Sequence, residues 1–468
     1  MSYAKHNRIL LVAPTRGLGY PRLFKKVFYV PNLAIRTLAS LTPPDYEVSL
    51  LDEALDRPDL GHYEATDADL VGLSVSTQNA SRAYAIARAL KRKGKTVVMG
   101  GIHVTALPSE ALQYSDAVVI GEAEGVWQEL VHDYATDNLQ QIYRAARPSP
   151  ELATPTRISP ASHQSLISVR PVQISRGCPF GCEFCSVSAF YGHVTRYKSV
   201  EAVVNEITNA QSTYVFFVDD NLFASKPYAR ELLHRLHALK IRWVSQAPIS
   251  IAWDPEILSL AKSSGCRGLM IGFDSVNQGS LASVSKRQNQ VQSYKGAVTS
   301  IQNIGIPIAG SFIFGFDQDD ESVFEETVRT AKNLEIDLAY FFILTPYPGT
   351  QLYQTLARED RIFERDWAKF DCNHVVFSPR RMTPAQLQQG FEWAWKEFYS
   401  PISTLHRMFK TPAATTALAN AFYMFGRRFH KMGSSSLPAE FSFGTNESTT
   451  EGGAKWKDHH QTPSQMPH

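Results

Sequence analysis

Three cysteines fall within eight residues in the segment Ser175-Arg-Gly-Cys178-Pro-Phe-Gly-Cys182-Glu-Phe-Cys185. Three soft thiolates on one glycine-bearing loop can hold three irons of a [4Fe–4S] cube, leaving the fourth iron open to another ligand. A structural zinc site needs four closed ligands, and no further CxxC or HxxxH pair exists to complete one. Two cysteines remain. Cys266 leads into an apolar strand and reads as core; Cys372, in Asp371-Cys372-Asn373-His374, reads as a packed or idle thiol rather than a reactive one. Two thiols cannot ligate a second four-cysteine cluster. An odd count of five, three of them crowded together, is not a disulfide framework, so a reducing cytoplasmic setting is expected.

The elements that must position this loop follow from the apolar rhythm. Short apolar runs at 9–13, 47–51, 70–74, 96–99 and 117–120 alternate with helical stretches at 32–41, 80–93 and 108–113. That pattern predicts a five-stranded, doubly wound parallel sheet over residues 1–145, with its ligand crevice at the carboxyl ends of the strands. Prolines at 148, 150, 155, 160 and 171 mark 146–171 as a linker. Alternation then resumes over 172–375, with strands expected at 172–175, 214–218, 242–245, 268–272, 306–314 and 338–344. Six β/α units in about 200 residues imply an open, partial TIM-like barrel, because eight units take about 250. Residues 376–432 read as a helical extension: Thr383-Pro384 and Thr411-Pro412 each supply an N-cap followed by proline. Phe391, Trp395 and Phe398 form an apolar helix face. From 433 to 468 the polar, glycine-rich composition predicts disorder. With 47 basic and 45 acidic residues, the net charge of +2 gives no footprint for a nucleic-acid partner. No apolar run is long enough for an integral membrane segment, and the start lacks a signal-peptide layout.

The triplet Cys178-x3-Cys182-x2-Cys185, with the aromatic Phe184 before its last cysteine, resembles the signature of the radical S-adenosylmethionine (SAM) superfamily. The resemblance implies that SAM chelates the open iron and is cleaved to a 5′-deoxyadenosyl radical, with electrons from a donor such as flavodoxin or ferredoxin. It implies SAM-binding roles for Phe184, for Asp219, Asp220 and Asn221 after the second barrel strand, and for Ser245 and Gln246 after the third. Asp274 and Ser275 would meet the ribose, Arg287 the methionine carboxylate, and Gly315 the adenine. Polar groups at the carboxyl ends of barrel strands read as active-site residues.

The first domain carries Ser74-Val-Ser76-Thr77 after one strand and Gly100-Gly101 after the next. Gly101-Ile-His103-Val-Thr105 and Gly121-Glu122-Ala-Glu124 follow. These segments resemble the cobalamin-binding (B12) branch of the radical SAM enzymes, which assigns Ser74, Ser76, Thr77, Gly100, Gly101, His103, Thr105, Gly121 and Glu122 to the corrinoid. Glycine there would let backbone approach a bulky ligand. The Asp-x-His-x-x-Gly that ligates cobalt in other cobalamin domains is missing: Pro14-Thr-Arg16-Gly17-Leu-Gly19 stands in its place. Cobalamin is therefore expected to bind without a protein histidine on cobalt. The resemblance implies a methyltransferase acting on an unactivated carbon of a small-molecule, lipid or natural-product substrate. Oxidative cyclisation or ring rearrangement with the same cofactors is the alternative. A non-catalytic cobalamin sensor is a remote third, disfavoured by three thiols that would be an oxidation liability without a cluster.

Overall fold

A computed structural model of the chain describes residues 7–15, 28–55, 57–145, 167–210, 212–410 and 420. Thr411-Pro412, the 433–468 segment and most of the Pro14–Gly19 stretch lie outside the described residues.

The amino-terminal strands are β1 (Arg8–Ala13), β2 (Phe28–Tyr29), β3 (Glu47–Asp52), β4 (Leu70–Ser74), β5 (Thr96–Gly100), β6 (Ala117–Ile120) and β7 (Ile142–Arg144). All except β2 form a parallel sheet in the order β3-β1-β4-β5-β6-β7. Among the described residues the sheet has six strands, not the expected five. The added strand, β7, is only three residues long and alternates exposed–buried–exposed, so it lacks the continuous apolar run that marks its neighbours. Apolar clusters cover both faces, one around Tyr84 and Ile86, the other around Trp127 and Ile35. The order reverses between β1's two neighbours, which opens a crevice at the carboxyl ends.

The second domain contains β8 (Ile167–Val172), β9 (Ser175–Arg176), β10 (Arg196–Tyr197), β11 (Tyr214–Phe217), β12 (Arg242–Ala247), β13 (Cys266–Asp274), β14 (Ile308–Phe314) and β15 (Leu338–Ile343). Its sheet is parallel and open among the described residues, in the order β15-β14-β13-β12-β11-β8-β2. Two expectations change. The first barrel strand begins at Ile167, inside the supposed linker, because Pro171 sits within the strand opposite Phe216. A seventh strand joins the sheet: β2, from the amino-terminal part of the chain, pairs with β8 through Phe28 and Tyr29. Two residues carry no readable period, and their partner lies about 140 positions away.

Helix ends follow local chemistry. Thr383 caps the helix Pro384–Phe398 with a capping box completed by Gln386, and Pro384 occupies its first turn. Phe391 and Phe398 are buried on the barrel, and Trp395 Nε1 donates to the Phe341 carbonyl, so the aromatic face is core packing. Cys266 is fully buried. Cys372 Sγ sits 3.2 Å from the buried-side hydroxyl of Tyr347, a packed thiol as expected. No helix among the described residues is long and apolar enough to cross a membrane.

Candidate active site at two facing sheet edges

The thiol loop leaves β9 through Gly177, whose φ is +91° and whose missing side chain makes room for the Val194 carbonyl. Any larger residue would push β10 away from β9. The loop is tied to the barrel on two sides: Glu183 N–H donates to the Val284 carbonyl at 3.2 Å, and Leu352 N–H to the Glu183 carbonyl at 3.0 Å. Burial pushes all three thiols up in pKa; Lys286 and Gln288 act in the opposite direction on Cys182, Asn221 on Cys178, and the Ser188 and Val187 amides on Cys185. A cavity of about 390 Å³ is lined by Cys182, Cys185, His193, Gln351, Gln354 and Arg358. Among the described residues no three His, Cys, Asp or Glu side chains converge as a single-ion site requires. Three soft donors on one loop, with amide donors and a lysine near their sulfurs, fit a cluster.

The strand-end residues divide. Asp219 is fully buried: Ile174 N–H and the Ser175 hydroxyl donate to it, at 3.0 Å and 2.7 Å. Burial pushes its carboxyl up to about 7, against those donors. Asp219 thus anchors the chain entering the loop, and both its oxygens are committed. Asp220 is the open member of the pair, with its carboxyl pushed up to about 6 by the surrounding protein. Asn221 bonds to Cys178 and leaves a buried Oδ1 without a partner among the described residues, an acceptor suited to an ammonium. The Ser245 hydroxyl donates to the Gln246 carbonyl, whereas Gln246 is half-buried.

Asp274 adopts φ +62°, held there by Tyr294 Oη and Asn289 Nδ2, which donate to the Phe273 carbonyl at 3.0 Å and 2.9 Å. The Ser275 hydroxyl accepts from Asn277 N–H. Arg287, the expected basic contact, points into solvent. Its neighbour Lys286 faces inward: Nζ lies 2.5 Å from Asp274 Oδ2. Burial works against that ammonium, but Asp274 and the Cys182 thiol hold its pKa above the ordinary lysine value. Gln288 Nε2 contacts Cys182 Sγ at 3.5 Å. The sequence offered Lys286-Arg287 as a pair; only the turn after the helix Gln278–Ser283 decides which one faces inward. Phe184 meets Phe316 edge-on at 6.1 Å, and Gly315 lies beneath Leu387 and Phe377.

The first domain presents a different edge. Gly101 has φ +109°, and a Cβ there would stand 2.7 Å from the Val75 carbonyl oxygen. The close approach that requires glycine is therefore to the chain's own backbone. His103 is fully buried, with Nε2 3.0 Å from Tyr84 Oη, 3.5 Å from Glu110 and its ring against Trp367. Its Nδ1 has no partner among the described residues. The Thr105 hydroxyl accepts Gly121 N–H at 2.9 Å, and the Ser76 hydroxyl accepts from Asn79. Ser74 and Ser76 stay half-buried, Thr77 is buried, and Gly100 rests on Val119. A Cβ on Gly121 would meet nothing within 4 Å, so open space borders the β6 turn. Small residues border that open space, which leaves room for a bulky ligand to approach the edge.

The two edges touch. Glu122 and Glu124 reach Arg176 of the thiol loop, and Trp367 Nε1 donates to Glu110 at 2.8 Å.

Comparison with known proteins agrees with this plan. Residues 172–331 match the model of the radical SAM superfamily, 23–131 that of the B12 binding domain, and 350–426 a domain of unknown function. The chain is 32% identical over 382 residues to bacteriochlorophyllide d C-12(1)-methyltransferase of Chlorobaculum tepidum, covering 79% of this chain and 83% of that protein. It is 25% identical over 345 residues to anaerobic magnesium-protoporphyrin IX monomethyl ester cyclase of Cereibacter sphaeroides, covering 66% and 56%. The fold is shared with the radical SAM methyltransferase TsrM of Kitasatospora setae, solved with cobalamin and a [4Fe–4S] cluster (TM-score 0.63, 18% identity, 82% of this chain and 85% of that one).

Proposed function

The chain belongs to the B12-binding radical SAM enzymes, and on that premise we propose that it methylates an unactivated carbon of an apolar small molecule. The observation that carries the reading is the juxtaposition of two sheet edges, one with three thiols and one bordered by small residues, in a chain 32% identical to a named methyltransferase. Both relatives described above act on tetrapyrroles, so a tetrapyrrole-like macrocycle is the substrate class to try first.

Cys178, Cys182 and Cys185 would hold the cluster. Asp220, Asn221 and Gln246 would take the polar end of SAM, with Asp274 and Lys286 as a paired acid and base beside it. Ser74, Ser76, Gly100, Gly101 and Gly121 would border the corrinoid. When bound, cluster and SAM supply a hydrogen-abstracting radical, and the corrinoid supplies a transferable methyl group. The chain's own part is to place these groups on either side of one substrate and to keep water out. The enclosure of His103 by Tyr84, Glu110 and Trp367 supports a corrinoid without a histidine on cobalt. Electrons would come from a flavodoxin or ferredoxin in the cytoplasm.

The first measurement is corrinoid and iron per chain after anaerobic purification from cobalamin-fed cells. Near one corrinoid and four irons are expected; iron without corrinoid would overturn the methyltransferase reading. The named cyclase relative favours ring closure as a second reading. Formation of S-adenosylhomocysteine alongside product separates the two, since only methyl transfer makes it.

A further inference from the structure

We propose that Glu122 is the pivot of an ionic clamp that sets the position of the thiol loop against the first domain's carboxyl edge; the proposal rests on the two-cofactor reading above. The thiol loop has two stems, β9 before Cys178 and β10 after the helix Ser186–Tyr191, and they pair antiparallel with Arg176 opposite Arg196. One carboxylate grips both. Arg176 Nη1 lies 2.7 Å from Glu122 Oε2, and Arg196 donates to Glu122 Oε1. Arg176 Nη2 lies 2.5 Å from Glu124 Oε1, its Nε donates to Gln173 Oε1 at 3.0 Å, and its guanidinium sits 5.5 Å from the Tyr191 ring.

Three features make this a positioning device rather than surface ion pairing. The four side chains are 6–14% exposed, so the pairs are largely out of water and breaking one leaves a costly unpaired charge. Two carboxylates against two guanidiniums leave the cluster neutral, so burial is tolerated. Every donor nitrogen of Arg176 has a partner, which fixes its plane, and Cys178 follows two residues later. Glu122 has no oxygen left for a corrinoid, although its place in the chain suggested one. It acts through the loop: distance and angle between corrinoid edge and thiols are set by where Glu122 holds the two stems.

The test is Glu122→Gln in the full chain, which keeps volume and removes charge. In the protein as purified, before cluster reconstitution, hydrogen exchange across 177–195 should quicken about 10-fold as the clamp opens more often. After loading, iron and corrinoid contents should match wild type, while the magnetic coupling between reduced cluster and Co(II) should spread into a broad range of separations. Unchanged exchange, or a single unchanged coupling, would overturn the clamp. If Glu122→Gln does not fold, Glu124→Gln leaves the pivot in place, and a rise of about 3-fold in exchange is expected; none would again overturn it. Should wild type bind iron but no corrinoid, the cofactor reading fails while the exchange result still decides the clamp.

Discussion

At the carboxyl edge of the first sheet, polar side chains are turned toward the chain itself. Glu53 after β3 is closed on Arg82 and Tyr63, Thr105 on Gly121, His103 on Tyr84 and Glu110, and Glu122 on two arginines. At the facing edge of the second sheet, Asp220 is exposed, Gln246 is half-buried, and the buried Oδ1 of Asn221 has no partner among the described residues. One edge is shaped by backbone and absent side chains; the other is armed with side chains. The difference suits the expected ligands, since a bulky planar group needs room and a small charged cofactor needs directed polar contacts.

The largest effects are expected at the thiols. Cys178→Ala, Cys182→Ala or Cys185→Ala should each abolish the brown iron–sulfur chromophore and all reductive SAM cleavage; residual cleavage would remove the cluster from this loop. On the other edge, Gly101→Val should lower unfolding stability by about 3 kcal/mol, because it forces a strained φ and a collision with Val75. Urea unfolding checks this. Loss of corrinoid with stability intact would mean that Gly101 serves the ligand and not the chain.

Asp219 and Asp220 test the division within a single edge. A carboxyl raised to about 7 in the folded state keeps its proton after the unfolded chain has lost it, so stability falls as pH rises from about 4 to about 7. Between pH 5 and pH 7 Asp219 should account for a decline on the order of 2 kcal/mol, which Asp219→Asn removes. Asp220→Asn should weaken SAM binding instead, which titration of the purified protein with SAM checks. The smallest contrast is between adjacent bases: Lys286→Met should raise KM for SAM about 10-fold, and Arg287→Met less than about 2-fold. Equal effects would mean that the Lys286–Asp274 pair does not face the cofactor.

Most of the architecture was readable in the chain. Parallel β/α alternation shows as continuous apolar runs, because strands covered on both faces carry no polar period. What escaped reading was short or non-local. β7 and β2 are three and two residues long, and β8 was hidden by Pro171. Among site residues, Asp219 and Asp220 look alike in sequence, yet one is sealed under Ile174 and Ser175 and the other is open. The Gly100-Gly101 pair stands out in sequence, but only the fold shows that Val75 backbone occupies the space a side chain on Gly101 would take.

The sequence by itself determined the thiol loop and the helix starts, because covalent spacing limits where three cysteines or a Thr-Pro cap can go. The tertiary structure alone decided which charges meet. Glu122 and Arg176 are 54 residues apart, Glu110 and Trp367 257 apart, and no local period links them. Such pairs exist only where two sheets, folded by their own apolar faces, bring distant loop ends within hydrogen-bonding reach and out of water, where a charge must find a partner.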